Sequence, residues 1–165
     1  MHTHLMAHLK LVLVPNEILH TPCDPIDPAN LQDPLFQTLI SDMKKTMKHE
    51  NGVGLAAPQI GKLIRLMIVD LEDRGPTAFI NPIIIGSSPH KVESEEGCLS
   101  IPKVFGYVSR SKEVDIEALG EDGKTIKTTF KDYDSIVYQH ELDHLNGILF
   151  TDPDRLIRYT THTPL

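Results

Sequence analysis

Apolar positions mark out the elements of this chain. Leu35, Phe36, Leu39, Ile40, Met43 and Met47 recur at helical spacing, which predicts an amphipathic helix with its Met and Phe stripe on the core. Lys44, Lys45, Lys48 and His49 gather toward its C-terminal end, where positive charge suits the helix dipole. Asp33 before Pro34 supplies the expected N-cap and first helical residue. Upstream, Pro15, Pro22, Pro25 and Pro28 interrupt the chain too often for regular helix, so residues 15–34 are expected as an ordered, extended loop. Gly52, Gly54, Pro58 and Gly61 break regular structure over residues 51–61.

Strands are expected at 63–70, 77–85, 104–109 and 112–119. Glu121-Asp122-Gly123-Lys124 is a tight-turn sequence that joins 112–119 to 124–130 as a hairpin. A helix follows from Asp132 to Leu145 and stops at Asn146-Gly147. Ile136, Val137 and Leu145 give it an apolar side, so it is expected to be buried. The tail from Thr160 is expected to be loose. Helix, strands, then helix is not a regular strand–helix alternation. It implies an α+β fold: mostly antiparallel sheets packed around a central helix carrying residues 140–144, with an N-terminal amphipathic helix.

Bulk numbers narrow the functions. A length of 165 residues suits one domain over 1–165 with a real core. The net charge of -7 argues against nucleic-acid recognition and against anionic membrane. No apolar run approaches the ~20 residues of a membrane span. Leu9 to Val14 lacks the long apolar region and small-residue cleavage site of a secretory signal and reads as a short N-terminal segment of the fold; a cytoplasmic location is expected. Two cysteines, Cys23 and Cys98, make no disulfide framework and fit a reducing compartment. His2, His4 and His8 are expected on a solvated terminus.

The chemistry starts at His140-Glu141-Leu142-Asp143-His144. Residues four apart share a helix face, so His140 and His144 can aim ring nitrogens at one metal. Glu141 borders that face and can reach a metal-bound water without being a ligand. A divalent ion lowers the pKa of bound water from ~15.7 toward ~7, and a nearby carboxylate can take its proton. Alone, the pattern also fits a solvated helix face with satisfied histidines. A third ligand is needed for a catalytic site with an open position. Phe150 stands where one protease class has a third histidine, and Asp152 and Asp154 flank Pro153 in an expected turn. Cys98, in Glu96-Gly97-Cys98-Leu99-Ser100, is the alternative, on an expected loop between strands. One thiolate and two imidazoles suit Zn²⁺ or Fe²⁺. Cys23 reads as a small buried hydrophobe.

Three segments, GVGLAAPQ at 52–59, EGCLS at 96–100 and HELDH at 140–144, resemble the signature motifs of peptide deformylases, in the family's order and at similar spacing. The resemblance runs from about Leu9 to Phe150. It implies a metallohydrolase that removes the N-terminal formyl group of formyl-methionyl nascent chains and releases formate. By resemblance Cys98, His140 and His144 hold one divalent ion, Fe²⁺ in cells and Zn²⁺, Ni²⁺ or Co²⁺ in purified protein. Glu141 is the implied general base and acid. The resemblance also implies that Gln59 and the backbone N–H of Leu99 donate to the formyl oxygen, and that main-chain groups of Val53, Gly54 and Gly97 pair with the peptide.

Ile136, Val137 and Val53 are the candidates for the methionine slot, with Tyr133 closing it. Asp143 and Glu96 are expected to orient a ligand imidazole or to pair with Arg110. The family's arginine after EGCLS is not carried over, because Lys103, Phe105 and Gly106 occupy that region. The tail ends in THTPL, not in a long basic helix of the kind some members use at the ribosome, so ribosome contact is expected to be transient at most. The chain is expected to be a monomer. Other readings are an HExxH peptidase, disfavoured by the missing downstream ligand, and a non-catalytic binder, disfavoured by the presence of Glu141 and Gln59.

Overall fold

Helix α1 (Pro34–His49) starts where Asp33 accepts the N–H of Leu35 at 2.8 Å, with Pro34 in the first turn. Its core stripe is Phe36, Ile40, Met43 and Met47, a strict helical spacing, and Ile40, Met43 and Met47 are buried. Leu35 departs from expectation: it lies off that stripe and is 82% exposed. A computed structural model describes residues 8–161 of the chain.

Among the described residues eight strands form two sheets, and every ladder is antiparallel. They are β1 (Gly54–Ala56), β2 (Leu66–Leu71), β3 (Gly75–Ser87), β4 (Lys91–Cys98), β5 (Ile101–Ser111), β6 (Glu113–Leu119), β7 (Thr125–Lys131) and β8 (Leu156–Tyr159). The larger sheet has the order β1-β2-β3-β6-β7, and the smaller one β4-β5-β8. Strand β2 explains its own continuous apolar run, because both of its faces are covered. Leu66 and Ile68 pack toward α1, while Met67, Val69 and Leu71 pack on the opposite side with Phe79, Ile116 and Phe130.

Helix α2 (Asp132–Leu145) lies between the two sheets. Val137, Tyr138, Leu142 and Leu145 press on the larger sheet. His140 and Asp143 face Glu96 of β4 and Arg110 of β5 on the smaller one. The arrangement is the α+β fold expected from the pattern.

Several details correct the sequence reading. Cys98 ends strand β4 and does not sit in a loop between strands; residues 91–98 pair with β5 along their length. Strands β1 and β8 were not legible as strands. The proline-rich stretch holds two 3-10 turns, Glu17–His20 and Pro28–Asn30. Thr160 is tied down, its N–H donating to Phe105 O at 2.9 Å. His8 stacks on His49 with ring centroids 3.8 Å apart, while His2 and His4 lie outside the described residues. Among the described residues no helix is long and apolar enough to cross a membrane.

Candidate metal centre

Three side chains from two distant segments meet at one point. His140 and His144 project from the same face of α2, with ring centroids 5.0 Å apart. A register shift between Glu96 and Cys98 ends β4 and brings the thiol to them, with Cys98 Sγ 3.3 Å from His144 Nε2. The three ligand atoms lie within 4.8 Å of one another, and they are the one His/Cys/Asp/Glu group of metal-holding geometry among the described residues. One sulfur and two imidazole nitrogens at this spacing fit a divalent borderline-soft cation. His140 Nδ1 is engaged at 2.7 Å by Glu96 Oε1, which leaves Nε2 free to ligate. Asp152 is occupied elsewhere, accepting the N–H of Leu149 and bonding His20, so it offers nothing here.

Buried charges support the ligands. Arg110 forks onto Glu96 through Nε at 3.0 Å and Nη2 at 2.9 Å, and its Nη1 meets Asp143 Oδ2 at 2.6 Å. Burial works against a charged Glu96, but hydrogen bonds from His140 and Arg110 outweigh it and hold its carboxyl down at about 2. Glu141 has no such support. Burial pushes its carboxyl up to about 7, and its Oε2 has no hydrogen-bond partner among the described residues. A buried carboxyl poised near neutrality can both take and return a proton.

Gln59 is 1% exposed and fixed in orientation. Its Oε1 accepts the N–H of Ala56 at 2.9 Å, so its amide NH₂ points the other way, to Ser100 Oγ at 3.2 Å and Cys98 Sγ at 3.5 Å. A cleft of about 830 Å³ opens beside these groups. Val53, Gly54, Gln59, Gly97, Cys98, Leu99, Tyr133, Ile136, Val137, His140 and Glu141 all line it, so the residues singled out from sequence are brought together. His144 lies behind the wall, 1% exposed. A Cβ on Gly54 would collide with the Glu141 carboxylate, and one on Gly97 would come within 2.7 Å of the Phe105 ring, so both glycines permit close backbone approach.

Part of the wall lies outside the residues expected from sequence. Leu9, Leu11 and Leu13 line the cleft, held there because Val12 N donates to Gln59 O at 2.7 Å and Val14 N to Ser100 O at 3.0 Å. The signal in the sequence is the placing of Leu9, Leu11 and Leu13 at alternate positions, which sets them on one side of an extended chain.

The comparisons with known proteins agree with this geometry. The polypeptide deformylase family matches residues 8–158. A peptide deformylase of Pseudothermotoga lettingae is 50% identical over 115 residues, 70% of this chain and 66% of that protein. Peptide deformylase 1 of Shewanella oneidensis is 42% identical over 149 residues, 89% of this chain and 86% of that one. The crystal structure of peptide deformylase from Thermotoga maritima superposes with a TM-score of 0.85 at 35% identity, covering 91% of this chain and 98% of that chain. A class I type b peptide deformylase from Acinetobacter baumannii, solved with Met-Ala-Ser bound, gives a TM-score of 0.84 at 32% identity, covering 88% and 98%. With a Cys-His-His centre beside a buried glutamate and a family match over nearly its whole length, this chain belongs to the peptide deformylase family.

Proposed function

We propose that the cleft takes an N-formylmethionyl peptide and that Glu141 carries the proton transfers that release formate from it. The activity is the family's, removal of N-formyl groups. Cys98, His140 and His144 would hold the cation, which supplies Lewis acidity and so makes water nucleophilic at neutral pH. Glu141 takes the proton of the attacking water and returns it to the leaving amine nitrogen. The C–N bond of the formamide breaks, giving formate and the free peptide amine. Negative charge develops on the formyl oxygen, where the Gln59 amide NH₂ and the Leu99 backbone N–H donate. Removing one such donor costs roughly 10²–10³ in rate.

Main-chain groups of Val53, Gly54 and Gly97 pair with the peptide backbone, which reads no side chains beyond the first. Ile136, Val137 and Val53 form the slot for the methionine side chain, with Tyr133 at its rim. A peptide of the kind bound to the Acinetobacter baumannii relative, Met-Ala-Ser, is the product this scheme would leave.

The single observation that carries the reading is the buried Glu141 carboxyl, its Oε2 without a hydrogen-bond partner among the described residues, beside the Cys98–His140–His144 triad. Its test is formate release from formyl-Met-Ala-Ser by protein loaded anaerobically with Fe²⁺, with Ni²⁺, Co²⁺ and Zn²⁺ in parallel. The parent releases formate, and Glu141→Gln keeps the metal but loses about 10²–10⁴ in kcat. Equal turnover by Glu141→Gln, or no formate from metal-replete parent, overturns it. The ranking of the four ions identifies the working metal.

A further inference from the structure

We propose that Arg155 is a positioning residue for the metal centre, acting on His140 through Asp143, Arg110 and Glu96. The inference rests on the reading of Cys98, His140 and His144 as ligands. Strands β4 and β5, helix α2 and the turn before β8 each give one charge to a single chain of contacts. Arg155 Nη2, at the entry to β8, meets Asp143 Oδ1 at 3.0 Å. Asp143 Oδ2 meets Arg110 Nη1 of β5 at 2.6 Å. Arg110 grips Glu96 of β4 with its other two nitrogens, and Glu96 Oε1 holds His140 Nδ1 at 2.7 Å.

Two physical facts make the outer end matter. The first is charge balance. Glu96, Arg110 and Asp143 are buried, at 7%, 3% and 7% exposure, and together carry one excess negative charge. Arg155 offsets it, and a buried charge without its partner is strongly unfavourable. The second is rigidity. A guanidinium is a planar fork, so when Asp143 shifts, Arg110 turns as a unit and carries Glu96 with it. Glu96 is what aims the imidazole of His140. An ordinary surface ion pair would contribute little. This one differs because its carboxylate is buried and already committed to a second cation.

Local sequence delivers Arg155 to that position. Asp152 builds the turn: its side chain accepts the N–H of Leu149 at 3.0 Å, and its carbonyl accepts Arg155 N and Leu156 N, each at 2.9 Å. The turn folds β8 back against β5 and sends the Arg155 side chain, 39% exposed, down onto α2. Asp143 precedes His144 but has no part in the chemistry proposed above; holding these cations is its use.

The test compares the parent with Arg155→Met, Arg155→Lys, Glu96→Gln and the Arg155→Met/Glu96→Gln double variant, each loaded with Co²⁺. The readouts are the visible absorption bands of the bound Co²⁺ and its dissociation constant by chelator competition, with circular dichroism to confirm the fold. Arg155→Met is expected to weaken Co²⁺ binding about 3–10-fold and to shift the bands, below the 10–100-fold typical of a direct support of a ligand. Arg155→Lys restores most of the affinity. In the Glu96→Gln background the Arg155 effect shrinks toward none, because the route to His140 is already cut. Bands and affinity of Arg155→Met equal to the parent's, or full additivity with Glu96→Gln, overturn the inference. A parent that binds no Co²⁺ sinks the ligand reading, and the inference with it.

Discussion

The two sides of helix α2 are held by different physics. Toward the larger sheet, Tyr138 meets Phe79 and Phe130 with ring centroids 5.3 and 5.5 Å apart, among Val137, Leu142 and Leu145. Toward the smaller sheet, the contacts are Glu96–His140, Glu96–Arg110 and Arg110–Asp143. Apolar packing is strong and non-directional, so it fixes that the helix is buried. Hydrogen-bonded charges are directional, so they fix where individual atoms point. The ligands belong on the second side, because a metal site needs its donors placed to fractions of an ångström.

Each side can be broken without the other. Phe79→Ala removes the aromatic contact and is expected to cost about 3–5 kcal/mol of stability, read by denaturant unfolding, while Co²⁺ affinity of the folded protein stays within about twofold of the parent. An equally large loss of metal affinity would show that the two sides are not separable. Glu96→Gln should do the reverse. It is expected to weaken metal binding about 10–100-fold by chelator competition. An unchanged dissociation constant would mean that His140 is aimed by packing alone.

The gentlest comparison uses the two cysteines. Burial among apolar groups pushes the Cys23 thiol up to about 11, so at pH 8 roughly one molecule in a thousand carries the thiolate. Alkylation of Cys23 in the folded protein should therefore be slow and rise about tenfold per pH unit between pH 8 and 10. Cys98, on the ionic side, should label readily once the metal is stripped and be protected when it is restored. Peptide mapping after iodoacetamide treatment reads both. Fast labelling of Cys23 at pH 8 would contradict its placement.

The same contrast explains what the sequence disclosed. Strand β2 and helix α1 were legible because their buried faces are apolar, with Ile68 on one side, Met67 on the other, and Ile40, Met43 and Met47 at helical spacing. Helix α2 was legible from the four-residue spacing of His140 and His144 and from its stop at Asn146-Gly147. Strand β4 was not. It does alternate, but the residues it buries are Ser94, which lines the cleft, and Glu96, which pairs with Arg110 and His140, so no hydrophobic period betrays it. The charge chain is half visible in the sequence: Asp143 and Glu96 stand beside ligands, with Arg110 as a partner for either. Arg155 could not be tied to them, because its link to Asp143 depends on how the Asp152 turn folds back β8. Strands β1 and β8 are short enough that only their pairing partners define them.

One coordination sphere, of Cys98, His140 and His144, underlies the chemistry proposed for the cleft. X-ray absorption at the zinc edge of Zn²⁺-loaded protein reads it directly. One sulfur at about 2.3 Å and two imidazole nitrogens at about 2.0–2.1 Å are expected, with a light scatterer completing four-coordination. The sulfur should vanish in Cys98→Ser. A sphere of nitrogen and oxygen alone in the parent would contradict the centre described above.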